Sequence, residues 1–312
     1  MKFKILYISL LFGLLFTSCE DKLERPLKFG VSVEPGANIV FEDTIITAPK
    51  GTNVVFKFTG DPDFISVNME RFNPTRSRLN FSTQPAWGTH IENTLQVYLY
   101  ESTDSLLVRK FKTDSATVVN CQWQNITSLC NLPTTANATS KSSVSLDEYR
   151  GKKVIIAFRY KTVYANDWQP LWLINNLQIN DTVIATGIGV FTTVAATMGF
   201  TPFDILNPTA PYQSADLPGV WNLSSTTSIK IKQTPKDNPL NDDWLISKPV
   251  EIIRGTTTKL NPIPIKNIST NIQSYAYQFN EVGEYLLTFK ATNANYLNKE
   301  STEKTIRINI TE

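Results

Sequence analysis

The sequence predicts an all-β protein built as two β-sandwiches, one formed from the two ends of the chain and interrupted by the other. Three observations carry that expectation. Apolar residues recur at every second position in many short runs bounded by Gly, Pro, Asn and Asp, the periodicity of half-buried strands. The middle of the chain sustains no helical periodicity and no βαβ alternation, which favours a sandwich or jelly roll. The C-terminal strands, finally, read as half a domain whose partners lie far upstream.

Composition bounds the alternatives. At 312 residues the chain is long enough for two domains, each with its own core. Its 30 basic and 28 acidic residues give a net charge of +2 without any basic block, so nucleic acid is not an expected partner. With 41% hydrophobic and 11% aromatic residues, disorder does not fit.

Residues 1–18 carry Lys2 and Lys4, an apolar core from Ile5 to Phe16, and small residues at Thr17 and Ser18. This is the pattern of a secretory signal, too short for a permanent transmembrane anchor. Leu15-Phe16-Thr17-Ser18-Cys19 resembles a bacterial lipobox, which implies a lipid anchor on Cys19; an ordinary signal peptide followed by a chance cysteine is the alternative. Glu20 and Asp21 resemble the surface-export signal of Bacteroidota lipoproteins, implying the outer membrane and an outward-facing body. Residues 19–28 are the tether, whose polar part spans at most about 30 Å at ~3.3 Å per residue.

Residues 29–78 and 250–312 form the expected discontinuous domain. Phe29, Val31 and Val33 alternate at its start; Val54, Phe56 and Phe58 then face Phe64, Ser66 and Asn68 across a turn at Gly60-Asp61-Pro62-Asp63. At the other end, Tyr275, Tyr277 and Phe279, then Tyr285, Leu287, Phe289 and Ala291, then Ile306, Ile308 and Ile310 give three strands. Gly283 makes a hairpin of the first two, and the third is a longer return. An immunoglobulin-like sandwich split by an insertion accounts for both ends. The run from Lys50 to Asp63 resembles the first half of a polycystic-kidney-disease-type (PKD-like) domain, and Tyr275 to Asn293 its second half.

Residues 79–249 are the inserted sandwich, with strand signals at Leu79–Phe81, Leu95–Tyr100, Val118–Trp123, Val154–Tyr160, Leu171–Ile179 and Ile229–Ile231. Tyr149 to Tyr160 and Asp242-Asp243-Trp244-Leu245-Ile246-Ser247-Lys248-Pro249 resemble jelly-roll (galactose-binding-like) modules of secreted bacterial adhesin-like proteins. Gly187 to Gly219, rich in Thr, Pro and Ala, reads as a loop. Together these features resemble an uncharacterised family of Bacteroidota surface lipoproteins associated with polysaccharide-utilisation systems. That resemblance implies a polysaccharide or oligosaccharide ligand, and as protein partners an outer-membrane transporter with its glycan-capturing lipoprotein.

Catalytic signals are sparse. His90 is the single histidine, which excludes paired-histidine zinc sites, and no nucleophile elbow surrounds it. A non-enzyme is therefore the expectation, with a glycosidase as the alternative left open, since its two carboxylates form no linear pattern that a sequence exposes or excludes. Asp61, Asp63, Asp242 and Asp243 could supply oxygen ligands to calcium, but none lies in a spaced ligand loop and turn duty is the preferred reading; no metal or cofactor is expected. Of the six tryptophans, Trp123, Trp172 and Trp244 lie in apolar runs and belong to packing. Trp168 lies in a polar loop with Tyr164 and Asp167 and is the leading candidate to stack on a sugar, with Trp87 and Trp221 behind it. Cys121 and Cys130 either pair across a turn or remain free thiols. Four tripeptides place Thr44, Ser105, Ser115 and Thr182 in the Bacteroidota O-glycosylation pattern, a short motif that chance also produces. Weighed against glycan binding is a structural or adhesive surface role with protein or host-surface partners.

Overall fold

The computed structural model describes residues 26–42, 45–162, 166–235, 240–295 and 297–312; Cys19, Thr44 and Tyr164 lie outside them. The chain is nearly all-β, with multiple sheets in sandwich-like arrangement. It divides into two compact units, one formed by residues up to Phe72 together with Thr257–Glu312, the other by Asn73–Thr256. The boundaries fall at 72/73 and 256/257, where the sequence suggests 78/79 and 249/250. The reason is the strand Phe64–Ala86, which runs unbroken through the first junction, so that no turn marks it.

In the first unit, Asn53–Thr59 lies between Gly30–Val33 and Ser274–Gln278, all antiparallel. A second sheet places Phe64–Phe72 between Ile263–Lys266 and Gly283–Ala294, followed by Lys299–Thr311, Ile45–Pro49 (parallel) and Val40–Glu42. Val54, Phe56 and Phe58 from the first sheet and Ile65, Val67, Met69, Leu287, Phe289, Ile308 and Ile310 from the second form one buried cluster, with the Phe56 and Phe289 rings 5.0 Å apart.

Two readings of this unit need correction. Both short turns carry the chain from one sheet to the other instead of closing hairpins: Gly60 to Asp63 joins Asn53–Thr59 to a strand of the opposite sheet, and Phe279 to Gly283 does the same. The hairpin is the later pair, Gly283–Ala294 with Lys299–Thr311. The inward set on the strand after the first turn is Ile65, Val67 and Met69, not Phe64, Ser66 and Asn68; Phe64 is 41% exposed. A one-residue change of phase moves every side chain to the other face. Gly60 permits the crossing, because at φ +90° its Cα packs so closely on the Lys28 carbonyl that a Cβ would overlap it. Lys266 ties the turn down by donating to Asp61 Oδ1 (3.1 Å) and to the Pro62 carbonyl.

In the second unit, one sheet runs from Trp221–Asn222 through Ser228–Ile231 and Leu171–Val183 to the Asn73–Ala86 portion of the long strand and Ser140–Ser145. Its companion has the order Thr201–Asp204, Asp242–Ile246, Lys153–Lys161, Leu95–Glu101 and Gln124–Asn125. One core cluster includes Leu79, Phe81, Phe158, Trp172, Ile174 and Trp221. A separate cluster, with Ile155, Ala157, Phe203 and Trp244, packs with Val118 and Phe111 of a helix, Phe111–Asn120. Lys153–Lys161 therefore contributes to two clusters, which explains its nearly continuous apolar run from Val154 to Phe158.

That helix corrects the strand expected over Val118–Trp123. It spans ten residues and buries just Asp114 and Val118, too little to set up an apolar stripe, while Thr117-Val118-Val119 reads locally as strand. Its start is held by the Asp114 carboxylate, which accepts the Val108 and Arg109 backbone N–H groups at 3.0 and 2.9 Å and the Tyr212 hydroxyl. The segment 187–219, read as a loop, contains strands Gly189–Val194 and Thr201–Asp204. The first shows no burial alternation because it is exposed almost throughout, and the second has four residues. Among the described residues no helix is long and apolar enough to cross a membrane.

Candidate functional site

Two loops of the second unit meet backbone to backbone. In one, Trp87, Gly88 and His90 adopt positive φ angles of 67°, 87° and 52°. Gly88 is required there, because a Cβ would stand 2.6 Å from Pro170 Cα in the opposing loop. The contact is fixed by the Thr89 N–H, which donates to the Trp168 carbonyl at 2.9 Å. His90 Nε2 and Asp167 Oδ2 lie 2.7 Å apart, both half exposed, so their pairing orients the loops more than it stabilises them. A shallow recess with room for about one water (10 Å³) lies between, lined by Thr89, His90, Asp167 and Trp168.

Exposure sorts the tryptophans. Trp87 is 69% and Trp168 50% exposed, an arrangement that leaves two indole surfaces beside donor and acceptor groups. Trp221 must be withdrawn: it is 1% exposed, packed in the core, and its Nε1 donates to the Asp243 carbonyl at 3.3 Å. Pro218-Gly219 ahead of it reads as a surface turn, but the strand begins at Trp221 itself and turns it inward. Trp172 and Trp244 are buried, and Trp123 stacks on Trp244 with centroids 5.4 Å apart.

Cys121 and Cys130 are both unpaired in the structure. Cys121 closes the helix, its N–H donating to the Thr117 carbonyl, while Cys130 Sγ donates to the Ile126 carbonyl at 3.4 Å. Burial pushes their thiols up to about 11 and about 12, so both are poor nucleophiles at neutral pH. Among the proposed acceptors of O-linked sugar, Ser105 is exposed and Thr182 half-buried in a strand, whereas the Ser115 hydroxyl is buried within the helix. Ser105 also borders a 180 Å³ cavity whose lining includes Arg109 and Lys248.

Three of the four aspartates considered for calcium have local structural partners. Asp61 pairs with Lys266; Asp63 Oδ2 accepts the Ala294 N–H at 3.0 Å; Asp242 takes a two-pronged bond from the Arg159 guanidinium. Asp243 is different. It is 3% exposed, its Oδ2 has no hydrogen-bond partner among the described residues, and burial foremost, then the charges of Asp204 and Asp242, raise its carboxyl to about 9. The sequence pattern does not single out Asp204, its cross-strand neighbour, because it stands at the end of a four-residue strand in a segment without recognisable motifs. Among the described residues no three His, Cys, Asp or Glu side chains converge as a metal-ligand cluster.

No curated protein matches the chain. Among solved structures, the crystal structure of an ICAM-5 D1-D4 ectodomain fragment is similar over 91% of this chain and 78% of that one, at 8% identity and a TM-score of 0.12, a likeness too slight to carry an argument. A family model described as a domain of unknown function (DUF5017) matches residues 18–200, taking in the N-terminal strands of the first unit and both tryptophan loops of the second. Since that match covers more than half of the sequence, the chain belongs to the DUF5017 family.

Proposed function

We propose that this protein is a non-catalytic glycan-binding lipoprotein of the outer cell surface, an accessory of a Bacteroidota polysaccharide-utilisation system. The observation that carries the reading is the pair of exposed indoles, Trp87 and Trp168, on two loops locked together through Gly88 and flanked by Asp167 and His90. An indole face covers the C–H face of a sugar ring, and the carboxylate and imidazole bond its hydroxyls. The lipobox and the acidic pair after Cys19 support the surface address, and an outer-membrane transporter with its lipoprotein partner would receive the captured glycan. The adhesive alternative keeps one observation: Val190, Phe191 and Val194 are exposed on the strand Gly189–Val194, apolar side chains that a protein partner would cover.

Affinity electrophoresis in gels containing soluble polysaccharides tests the glycan site. Trp168→Ala and Trp87→Ala are expected to abolish the retardation of the wild-type protein while leaving the melting temperature within a few degrees, since exposed side chains contribute little packing. Undiminished retardation of both folded variants would overturn the site, and no retardation of the wild type across a broad panel would favour adhesion. For the address, Cys19→Ala should move the protein from the membrane to the soluble fraction. A variant that withstands a carbonate wash would show that something other than lipid anchors it.

A further inference from the structure

The strands Thr201–Asp204 and Asp242–Ile246 pair so that Asp204 stands directly opposite Asp243. Opposed residues of an antiparallel pair project from the same face with Cβ atoms about 5 Å apart, where two like charges repel. Successive residues alternate, so Asp242 takes the other face and reaches Arg159, whereas Asp243 turns inward beside Tyr160, its partner on the next strand. Tyr160 gives it nothing, because its hydroxyl donates to the Pro170 carbonyl at 2.9 Å. Trp221 bonds to the Asp243 backbone carbonyl and leaves the carboxylate untouched. Asp204 keeps one oxygen on the Leu206 N–H at 2.8 Å. The outcome is a carboxylate 97% withdrawn from solvent, with an oxygen unbonded, facing a second carboxylate across a small recess that both residues line.

Such an arrangement is costly for the protein alone, since a buried polar group without a partner loses its hydration for no return. The recess has room for one water-sized particle, about 10 Å³, and Gln213 borders it as a further source of oxygen. Asn207 is spent locally, its Oδ1 accepting the Thr209 and Ala210 N–H groups. Every available donor is therefore a hard oxygen, and the donors come from separate segments with no imposed octahedron. That combination suits Ca²⁺, which accepts irregular shells of six to eight oxygens, over Mg²⁺ or a transition metal.

We propose that Asp204 and Asp243 bind a calcium ion between the strands Thr201–Asp204 and Asp242–Ile246, completed by neutral oxygens at the rim of the recess, and that the ion fastens the segment 205–220 to the strand Asp242–Ile246. The proposal is independent of the glycan reading, since the tryptophan loops contribute no donor to it.

Thermal unfolding of the full chain tests it, in EDTA, in 1 mM CaCl₂ and in 1 mM MgCl₂ at matched ionic strength. Wild type is expected to gain roughly 5 °C or more in calcium, and markedly less in magnesium, if the site is near saturation. Asp243→Asn and Asp204→Asn should each lose that gain. In EDTA, Asp243→Asn should melt at or above the wild type, because the substitution removes the repelled carboxylate and keeps its shape. A wild type indifferent to calcium would overturn the proposal and leave Asp243 a protonated core residue, as would an undiminished calcium response in either variant. If Asp243→Asn does not fold, Asp204→Asn, at the more exposed partner, decides the matter.

Discussion

Asp243 is the residue whose environment departs furthest from what its side chain prefers, and its titration can be observed directly. Its carboxyl is raised to about 9 in the fold, by burial first and by the charges of Asp204 and Asp242 after it, against an ordinary value of 3.8. The folded state therefore holds a proton that the unfolded chain releases. Stability attached to this group is fully present below pH ~4 and declines as pH rises toward 9, by at most about 1.4 kcal/mol per pH unit. Asp204 and Tyr160 face it, while Asp242 acts from the opposite face of its strand, where it lies across from Lys161 and takes the Arg159 guanidinium; Asp204 is itself raised by burial, so neither group facing Asp243 offsets the loss. In calcium-free buffer the stability of wild type relative to Asp243→Asn should fall between about pH 5 and pH 8 in denaturant titrations. A difference that does not vary with pH would show that Asp243 titrates normally. The residue scale is also where the sequence was least legible. Trp87 and Trp221 both closely follow a proline, yet one is 69% and the other 1% exposed, because Trp87 comes just past the end of the strand Phe64–Ala86 whereas Trp221 begins a strand that pairs with Ser228–Ile231.

Among the elements, what could be read depended on length and alternation. The strands Gly283–Ala294 and Lys299–Thr311 declare themselves because Tyr285, Leu287, Phe289 and Ala291 alternate over a full side of the sheet. Leu95–Glu101, Lys153–Lys161 and Leu171–Val183 are similarly plain. The helix Phe111–Asn120 was hidden because its start depends on Asp114, a carboxylate whose partners are backbone amides and Tyr212, nearly a hundred residues downstream. Gly189–Val194 was hidden for the opposite reason: it is an exposed strand held through backbone hydrogen bonds to Leu171–Val183, and backbone bonds leave no side-chain pattern. The phase error at Ile65, Val67 and Met69 has the same root, since nothing local in Gly60-Asp61-Pro62-Asp63 says whether the chain returns in its own sheet or crosses to the other. The Trp168 loop is visible in the sequence as a loop; that it meets the stretch following Trp87 depends on Gly88 lying against Pro170, a contact across more than eighty positions of sequence.

The whole molecule is governed by a closure between distant segments. Asn53–Thr59 has Ser274–Gln278 along one edge, Phe64–Phe72 has Gly283–Ala294, and Gln278 Nε2 reaches the Gly51 carbonyl at 2.9 Å across 227 positions. A chain ending at Thr256 keeps the two sheets of the second unit, cuts through the strand Gly255–Lys259 and removes four strands from the first unit: Ile263–Lys266, Ser274–Gln278, Gly283–Ala294 and Lys299–Thr311. Residues 30–69 would then present unpaired edges and an uncovered apolar face. Limited proteolysis should cut that segment rapidly in the truncated chain and spare it in the full one, with 73–256 resistant in both. Equal protection of 30–69 in the two chains would mean that its stability does not come from the C-terminal strands.

The same closure sets a schedule on the ribosome. Val54, Phe56 and Phe58 are synthesised roughly 200 residues before Tyr275 and Tyr277, an interval of roughly 10 to 40 s at ordinary elongation rates. During that time the second unit emerges complete and can fold, while the early strands wait as sticky, half-paired chain. Early birth and late partnership make the first forty residues of the first unit the part of this protein most dependent on being kept unfolded until the last strand arrives.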